Sequence, residues 1–560
     1  MKNIDLFKDY ENSKLVTAAE FADRNRETTV PYSKIENVEM EGIPICIRRD
    51  EQGELQVTFV GNTHLLAIGA TRSGKTTGYV IPTMNVLLRK KDKPSMVISD
   101  PKHELYRENA KKFADKGYRV LQLDFTNYTQ SDCWNPLTKF YRAYQQYLQV
   151  KSTVKVCRRK GEVYNQFQGV IYEDLDELAR AVSEVEEGYW DEVEKGITAL
   201  SMSIVPNSTP SDPFWDDSAR DLLCAILYGM LEDSKTGLIT EDTFSFDTVL
   251  RIFDSFTDSQ SNYDGGYFTD RSLEKSKAHQ LARKCIIEQA ASTRRCISSK
   301  FAGIMNRFRD TAVRRITCTN TFEMQELDDD VPTAIFVSFK DEESLHYDVI
   351  SLFLTNLYTE LIGVARKKGT KLHRPFYFLL DEFGNLPKFN DFDKVISACG
   401  GRNIWFLLIL QSYAQLNHTY GKEIAEIIKD NLNTHIFFGT NNPETKREFS
   451  EECGKKTIIS PISALNGEGE SIERFDKDTV SLVPVSALTK LRHGDCIVTQ
   501  MGADVLWSRF ERSYTCPEFQ SDASEPYIRN VGVRFSDAKY IYKKTKKTTE
   551  KNKVDSMFDF

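Results

Sequence analysis

The 560-residue chain lacks a long apolar stretch. Runs such as IWFLLIL, from Ile404 to Leu410, fall far short of the roughly 20 residues that a bilayer-spanning helix requires. The opening segment MKNIDLFKDYENSKL is charged and carries no apolar core of the secretory-signal kind. Both absences predict a soluble chain that reaches any membrane through a partner. Paired cysteines are also missing. The 11 cysteines are scattered singly, none forms C-x-x-C, and none stands near a histidine at zinc spacing. That excludes a disulfide framework and a zinc site, and predicts reduced thiols in a cytoplasmic protein. Excess positive charge is absent too, since 74 Lys and Arg face 82 Asp and Glu for a formal net charge of -8. A chain that coats itself with nucleic acid is basic, so any nucleic-acid contact is confined to a channel or a patch. No internal repeat is visible.

What is present is enough apolar sequence, 40% of residues, for sizeable cores. The length predicts more than one domain, because single cores stop growing near roughly 250–300 residues. GIPICIRR and LQVTFVG read as short strands in a polar amino-terminal segment, residues 1–60. Residues 61–139 alternate strand and helix: HLLAIG, a glycine loop, a helix that Pro82 kinks or ends, PSMVISD and YRVLQLDF. Between 140 and 330 the sequence turns charged and helix-favouring, with helical apolar spacing in DPFWDDSARDLLCAILYGMLED and HQLARKCIIEQAASTRRCISSKFAGIMNRF. Strand patterning returns over 331–530 with TAIFVSF, a long amphipathic helix over 341–367, PFYFLLDE, NIWFLLILQ, THIFFGT, and a hairpin from GDCIVTQ and DVLWSRF. The basic tail, residues 531–560, is low in complexity and expected to be disordered. The pattern predicts an α/β fold, a P-loop domain interrupted by an all-helical insertion.

The glycine loop fits G-x-x-x-x-G-K-S/T from Gly69 to Thr76 and stands between an apolar strand and a helix, the context this motif requires. Gly69, Ala70, Thr71, Arg72, Ser73, Gly74, Lys75, Thr76 and Thr77 are the expected phosphate cradle. There the backbone N–H groups and the positive end of the helix face phosphate oxygens. Lys75 is expected to reach the β- and γ-phosphates, and the Thr76 hydroxyl to coordinate Mg²⁺. Hydrolysis also needs a metal carboxylate at the C-terminal end of a strand beside the loop strand, and a base for water. Two strands end in acid, at Asp100 and at Asp381–Glu382. The adjacent pair offers both functions, so Asp381 is assigned to the metal and Glu382 to the water. Gln411 ends the strand NIWFLLIL, where an amide senses a γ-phosphate or orients water, or is a plain polar strand end. Arg402, in the Gly-rich ACGGRN, is a candidate to enter a neighbouring copy's site, or a surface arginine. His103, with no partner histidine, reads as structural.

GIPI, HLLAIGATRSGKTTGYVIP, VISDPKHEL, WNPL, DPFWDDSARDLL, FYFLLDEFGNLPKF and ILQSYAQL occur in one order over roughly residues 40 to 515. In this combination the chain resembles the type IV coupling proteins, the TraG-like ATPases of conjugation and type IV secretion. DPKHEL and DEFGNLP are its specific elements, since the P-loop alone fits many ATPases. The resemblance implies a RecA-like motor with an all-alpha domain, working as a homo-hexamer with ATP and Mg²⁺. Such a motor moves single-stranded DNA, with its attached relaxase, toward a type IV secretion channel. It places the ATP site on Gly74, Lys75, Thr76, Asp381 and Glu382, matches Gln411 to a glutamine motif, and matches Arg402 more loosely. One departure stands out: members carry N-terminal transmembrane helices, and none is visible here. Either they have been cut away or a separate membrane protein docks the chain at the inner face of the membrane. Met1 and the polar first forty residues favour a naturally soluble member.

Charge is uneven inside the helical stretch. Arg283, Lys284, Arg294, Arg295, Lys300, Arg307, Arg309, Arg314 and Arg315 are opposed locally only by Glu288 and Asp310. The stretch is either a DNA-backbone contact or a solvated face. Glu173, Asp174, Asp176, Glu177, Glu184, Glu186, Glu187, Asp191, Glu192 and Glu194 form an acidic counterpart, either a dock for a basic relaxase or a solubilising surface. The terminal lysines, Lys543 to Lys553, touch DNA or anionic lipid, or are simply solvated. Two other functions compete with the DNA pump. One is an ATP-binding receptor that recruits proteins to the channel without pulling. The other is a septal-type double-stranded DNA translocase, a class without the long helical insertion.

Overall fold

The computed structural model describes residues 15–25, 28–160, 164–165, 170–171, 175–205, 213–256, 266–340, 344–389, 391–465, 471–520 and 527. The terminal lysines, Glu173 and Asp174 lie outside the described residues. The chain divides into two compact units, the first from residues 1–132 and 322–531 and the second from 133–321.

The first unit is built on a ten-stranded sheet. Its order is Leu15–Val16, Val505–Arg509, Asp495–Gln500, Thr434–Gly439, Leu65–Gly69, Ile404–Leu410, Phe376–Leu380, Ser95–Asp100, Thr333–Ser338, Arg119–Asp124. From Thr434–Gly439 to Arg119–Asp124 every neighbouring pair is parallel. Parallel strands are covered on both faces, so they read as unbroken apolar runs rather than as alternation. Every residue of Phe376–Leu380 and of Ser95–Asp100 is buried. Asp495–Gln500 and Val505–Arg509 form the expected antiparallel hairpin at one side. GIPICIRR and LQVTFVG do not join this sheet. Ile43–Arg49 and Leu55–Val60, with Thr28–Pro31, make a separate three-stranded antiparallel sheet. The turn between the first two is closed by the Asp50 carboxylate, which accepts from the Gln52 and Glu54 N–H groups at 2.9 Å each.

Two helices of this unit refine the sequence reading. After the loop, Thr76–Val80 is a widened π-type turn that leads into the α-helix Ile81–Leu87. Pro82 has no N–H for the usual four-residue bond, and the Ile81 N–H instead reaches back five residues to the Thr76 carbonyl. The long amphipathic helix starts at Tyr347 rather than 341 and runs to Lys367. By length and composition alone it is long and apolar enough to cross a membrane. Of that window 61% is buried inside the protein, as in a core helix.

The second unit is helical, led by Thr138–Lys160, Leu175–Ile204, Phe214–Ser234, Phe246–Phe256 and Ala291–Met305. Its two ends meet. The Trp134 N–H donates to the Ile316 carbonyl at 2.7 Å, and the Thr321 N–H donates to the Cys133 carbonyl at 3.0 Å. The unit therefore begins and ends several residues before the composition change suggests. The stretch from His279 to Phe308 is not one helix. It is broken by Ala290, whose backbone is extended at φ -60 and ψ 150. The ten described cysteine side chains in the two units are free thiols.

Candidate active site

A parallel sheet places all its C-terminal strand ends on one edge, where the following loops gather polar side chains. Here Leu410 pairs with Ile68 and Leu380 with Leu408, so Ala70, Gln411 and Asp381 emerge side by side. The sequence reading sets the acid-bearing strand beside the loop strand, and the sheet order differs. Ile404–Leu410 lies between them.

The loop is closed tightly. A Cβ at Gly69 would stand 2.4 Å from Ser73 Oγ and 2.8 Å from Lys75 Cγ, so only glycine fits. Gly74 holds φ +89, a left-handed conformation that side chains resist. The Ala70 N–H donates to the Gly439 carbonyl at 2.7 Å, and the Ser73 N–H to the Ala70 carbonyl at 3.0 Å. Lys75 is 5% exposed. Its Nζ donates to the Gly69 and Ala70 carbonyls at 2.5 and 3.4 Å, and stands 3.9 Å from Glu382 Oε1. Burial pulls its pKa below the usual lysine value, against the attraction of Glu382 and Asp381. Ser73 Oγ is buried without a hydrogen-bond partner. A cramped glycine, a buried ammonium resting on carbonyls and an orphaned hydroxyl fit a phosphate-bearing ligand in this cradle.

Opposite the loop, the Thr76 hydroxyl donates to Asp381 Oδ2 at 2.8 Å. Asp381 is 3% exposed. Burial pushes its carboxyl up to about 6, helped by Glu382 and opposed by the Thr76 hydrogen bond and by Lys75. The Ser99 hydroxyl fixes the Asp381 carbonyl at 2.7 Å. Glu382 sits at φ +52, an unusual backbone for a residue with a side chain. Its Oε2 accepts from Gln411 Nε2 at 3.1 Å. Gln411 is anchored in turn: its N–H donates to Gln415 Oε1 at 2.8 Å, and its carbonyl accepts from the Thr440 hydroxyl at 3.0 Å. Thus Lys75, Thr76, Asp381, Glu382 and Gln411 converge within one hydrogen-bonded set.

Asp100, the other strand-end acid, is committed elsewhere. Its carboxylate accepts from the Leu105 and Tyr106 N–H groups at 3.1 and 2.9 Å and caps the helix Glu104–Asp115. His103 lies 3.3 Å from Asp124 Oδ2. Arg402 is not brought to the loop. It precedes the strand whose far end carries Gln411, roughly 25 Å away at about 3.3 Å per strand residue. Its Nη1 donates to the Ala398 carbonyl at 2.5 Å. One residue that the sequence reading missed does reach the loop. Arg512, just beyond the last strand, donates to the Ser73 carbonyl at 2.8 Å and to the Thr77 hydroxyl at 3.3 Å.

In the second unit the basic stretch meets more acid than its own sequence holds. Arg283 pairs with Glu288, and Arg309 with Asp254 at 2.5 Å. Lys300 pairs with Asp216 and Arg314 with Asp247, both at 2.8 Å. Part of the acidic stretch is likewise paired: Glu186 with Lys151 at 3.3 Å, Asp191 with Lys195 at 2.7 Å, and Glu194 with Lys277.

Comparison with known proteins follows this geometry. The family described as "Type IV secretory system Conjugative DNA transfer" matches residues 11–472. The chain is 21% identical over 405 residues to Protein VirD4 of Rhizobium radiobacter, covering 70% of this chain and 48% of that protein. It is 23% identical over 339 residues to Coupling protein TraD of Escherichia coli strain K12, covering 59% of this chain and 44% of that one. It therefore spans about half the length of these curated relatives. Among solved structures, plasmid coupling protein TrwB in complex with ADP and Mg²⁺ superposes with a TM-score of 0.56 at 15% identity, over 90% of this chain and 94% of that one. The RecA-like P-loop fold is shared with TrwB, and the match over residues 11–472 makes this chain a member of the type IV secretory system conjugative DNA-transfer family.

Proposed function

We propose that this chain is an ATP-hydrolysing coupling protein that moves single-stranded DNA, or a relaxase–DNA complex, to a type IV secretion channel. The observation that supports it most is the joint engagement of Thr76 with Asp381 and of Glu382 with Gln411, beside a buried Lys75. Residues Gly69 to Thr77 cradle the phosphates of ATP, and Thr76 and Asp381 hold Mg²⁺. The metal, when bound, neutralises charge on the phosphate oxygens. Lys75 exchanges two loop carbonyls for phosphate oxygens, which its crowded position on Gly69 and Ala70 favours. Burial disfavours the ionised form of the Asp381 carboxyl, and a bound metal would select that form. Glu382 accepts the proton of the attacking water, and Gln411 fixes its carboxylate and marks the γ-phosphate end of the site.

Arg402, remote from its own loop, acts in a neighbouring copy's site within a homo-hexamer. The chain works at the inner face of the membrane, attached through a separate membrane protein. The acidic face of the second unit docks a basic relaxase, and its basic stretch contacts DNA. The test is the rate of ATP hydrolysis with and without single-stranded DNA, at several protein concentrations. Stimulation by DNA and a rate per chain that rises with concentration are expected. A rate indifferent to both removes the ring-shaped motor and leaves the receptor that does not pull.

A further inference from the structure

Arg512 is built against the phosphate loop in a way that its surroundings do not explain as packing alone. Its guanidinium lies where a Cβ on Gly74 would be, with Nη1 1.0 Å from that position. A second glycine, Gly78, faces the same side chain, with Nη1 3.2 Å from the Cβ it lacks. One glycine of the loop and one on the turn that follows it thus face this arginine. The guanidinium donates to the Ser73 carbonyl and to the Thr77 hydroxyl. No carboxylate pairs with it among the described residues, and a second cation, Arg509, stands near enough to bear on it. Burial weakens its hold on its proton most, the Tyr514 hydroxyl opposes this, and the Arg509 cation adds to it. A half-buried cation that gains no anion costs free energy, and here it is placed at the one loop whose backbone is shaped for anions.

The contacts also fix which end of the loop it serves. Lys75 and Thr76 face Glu382 and Asp381, which marks the terminal-phosphate side. Arg512 touches neither acid and meets Ser73 and Thr77. Backbone N–H groups of this loop type cradle the α- and β-phosphates, with the lysine beyond them. The arginine therefore stands toward the α-phosphate and nucleoside.

The segment that carries Arg512 is held independently of the loop. The Glu511 N–H donates to the Ile47 carbonyl at 2.8 Å, and Arg49 Nη2 and Glu518 Oε2 form an ion pair at 2.9 Å. The Lys112 ammonium donates to the Phe519 carbonyl at 2.5 Å. These anchors pre-position the guanidinium on the scaffold, so little order is lost when it engages a ligand.

We infer that Arg512 is a nucleotide-binding residue, a cation supplied by the carboxy-terminal segment to the α-phosphate end of the bound nucleotide. The inference rests on the reading of this loop as an ATP site. The experiment is equilibrium binding of ADP and of inorganic phosphate to the full chain and to Arg512→Gln and Arg512→Lys. Glutamine keeps a donor for the Ser73 carbonyl but carries no charge. Lysine keeps the charge and loses the fork. Losing a charge-assisted hydrogen bond predicts ADP affinity falling on the order of tenfold or more in Arg512→Gln, with partial recovery in Arg512→Lys. Inorganic phosphate, which fills one phosphate position and leaves the α-position empty, is expected to bind all three within about threefold of one another. Equal ADP affinity in the glutamine variant and the unaltered chain overturns the inference and leaves the arginine as a brace. A matched loss for ADP and inorganic phosphate overturns it too, because the loop fold itself has then been damaged. If the unaltered chain binds neither ligand, the ATP reading fails with it, an outcome distinct from both.

Discussion

Replacing Asp381 by asparagine should stabilise the protein in the absence of nucleotide and metal, and should do so only above acid pH. Asp381 is 3% exposed, and burial raises its carboxyl to about 6. In an unfolded chain an aspartate titrates near 3.9, so the difference is about two pH units, or about 3 kcal/mol. The folded protein binds the proton more tightly than the unfolded chain. The associated stability is present in full below about pH 4, drains away as pH rises to about 6, and is absent beyond it. Asparagine does not titrate, and its carbonyl still accepts from the Thr76 hydroxyl, so the variant skips this loss. Urea unfolding of both proteins without ligand, from about pH 4 to about pH 8, reads the difference directly. The stability of the variant minus that of the unaltered chain should grow by up to about 3 kcal/mol across that range. Adding Mg²⁺ and nucleotide should then favour the unaltered chain, because metal selects the deprotonated carboxylate. Parallel pH profiles would refute the reasoning, since Asp381 would then not be a carboxylate held ionised at a cost.

Two further outcomes follow from particular contacts. Gln411→Ala removes the amide that fixes Glu382 Oε2, and is expected to slow ATP turnover by on the order of a hundredfold with little change in ADP affinity, checked by steady-state hydrolysis beside equilibrium binding. Substituting Arg294 and Arg295 together by alanine removes two charges from the basic stretch. If these neutralise DNA phosphates, the salt slope of single-stranded DNA binding should fall by about 1.4, read from affinities at several salt concentrations.

The strands of the central sheet were legible because burial on both faces demands unbroken apolar runs, as in Ile404–Leu410 and Phe376–Leu380. The meeting of Gly69 to Thr76 with the Asp381–Glu382 pair was open to sequence reading because both follow apolar strands, and the Thr76 hydroxyl does reach Asp381. What stayed hidden depends on contacts between distant parts of the chain. Sequence spacing carries no information on strand order, so it did not reveal that the glutamine strand separates the acids from the loop strand. The basic stretch looked nearly unopposed because Asp216, Asp247 and Asp254 are supplied by helices well before it. Arg512 has no motif around it. Its one signal is indirect: Gly78, on the turn after the loop, is a glycine the phosphate pattern does not call for, and the arginine packs beside it. The role of Asp100 as a helix cap was open to local reading, since an acid shortly before a helical run is a common N-terminal signal.

The central claim is that Lys75, Thr76, Asp381, Glu382 and Gln411 form an ATP-hydrolysing site. It is tested most directly by measuring ATP binding and single-turnover hydrolysis side by side in Glu382→Gln. Glutamine keeps the shape of Glu382 and its contact with Gln411 but does not take a proton from water. The account predicts ATP binding close to that of the unaltered chain, with hydrolysis reduced by on the order of a hundredfold or more. Hydrolysis at the unaltered rate in that variant, or no ATP binding by the unaltered chain, would contradict it.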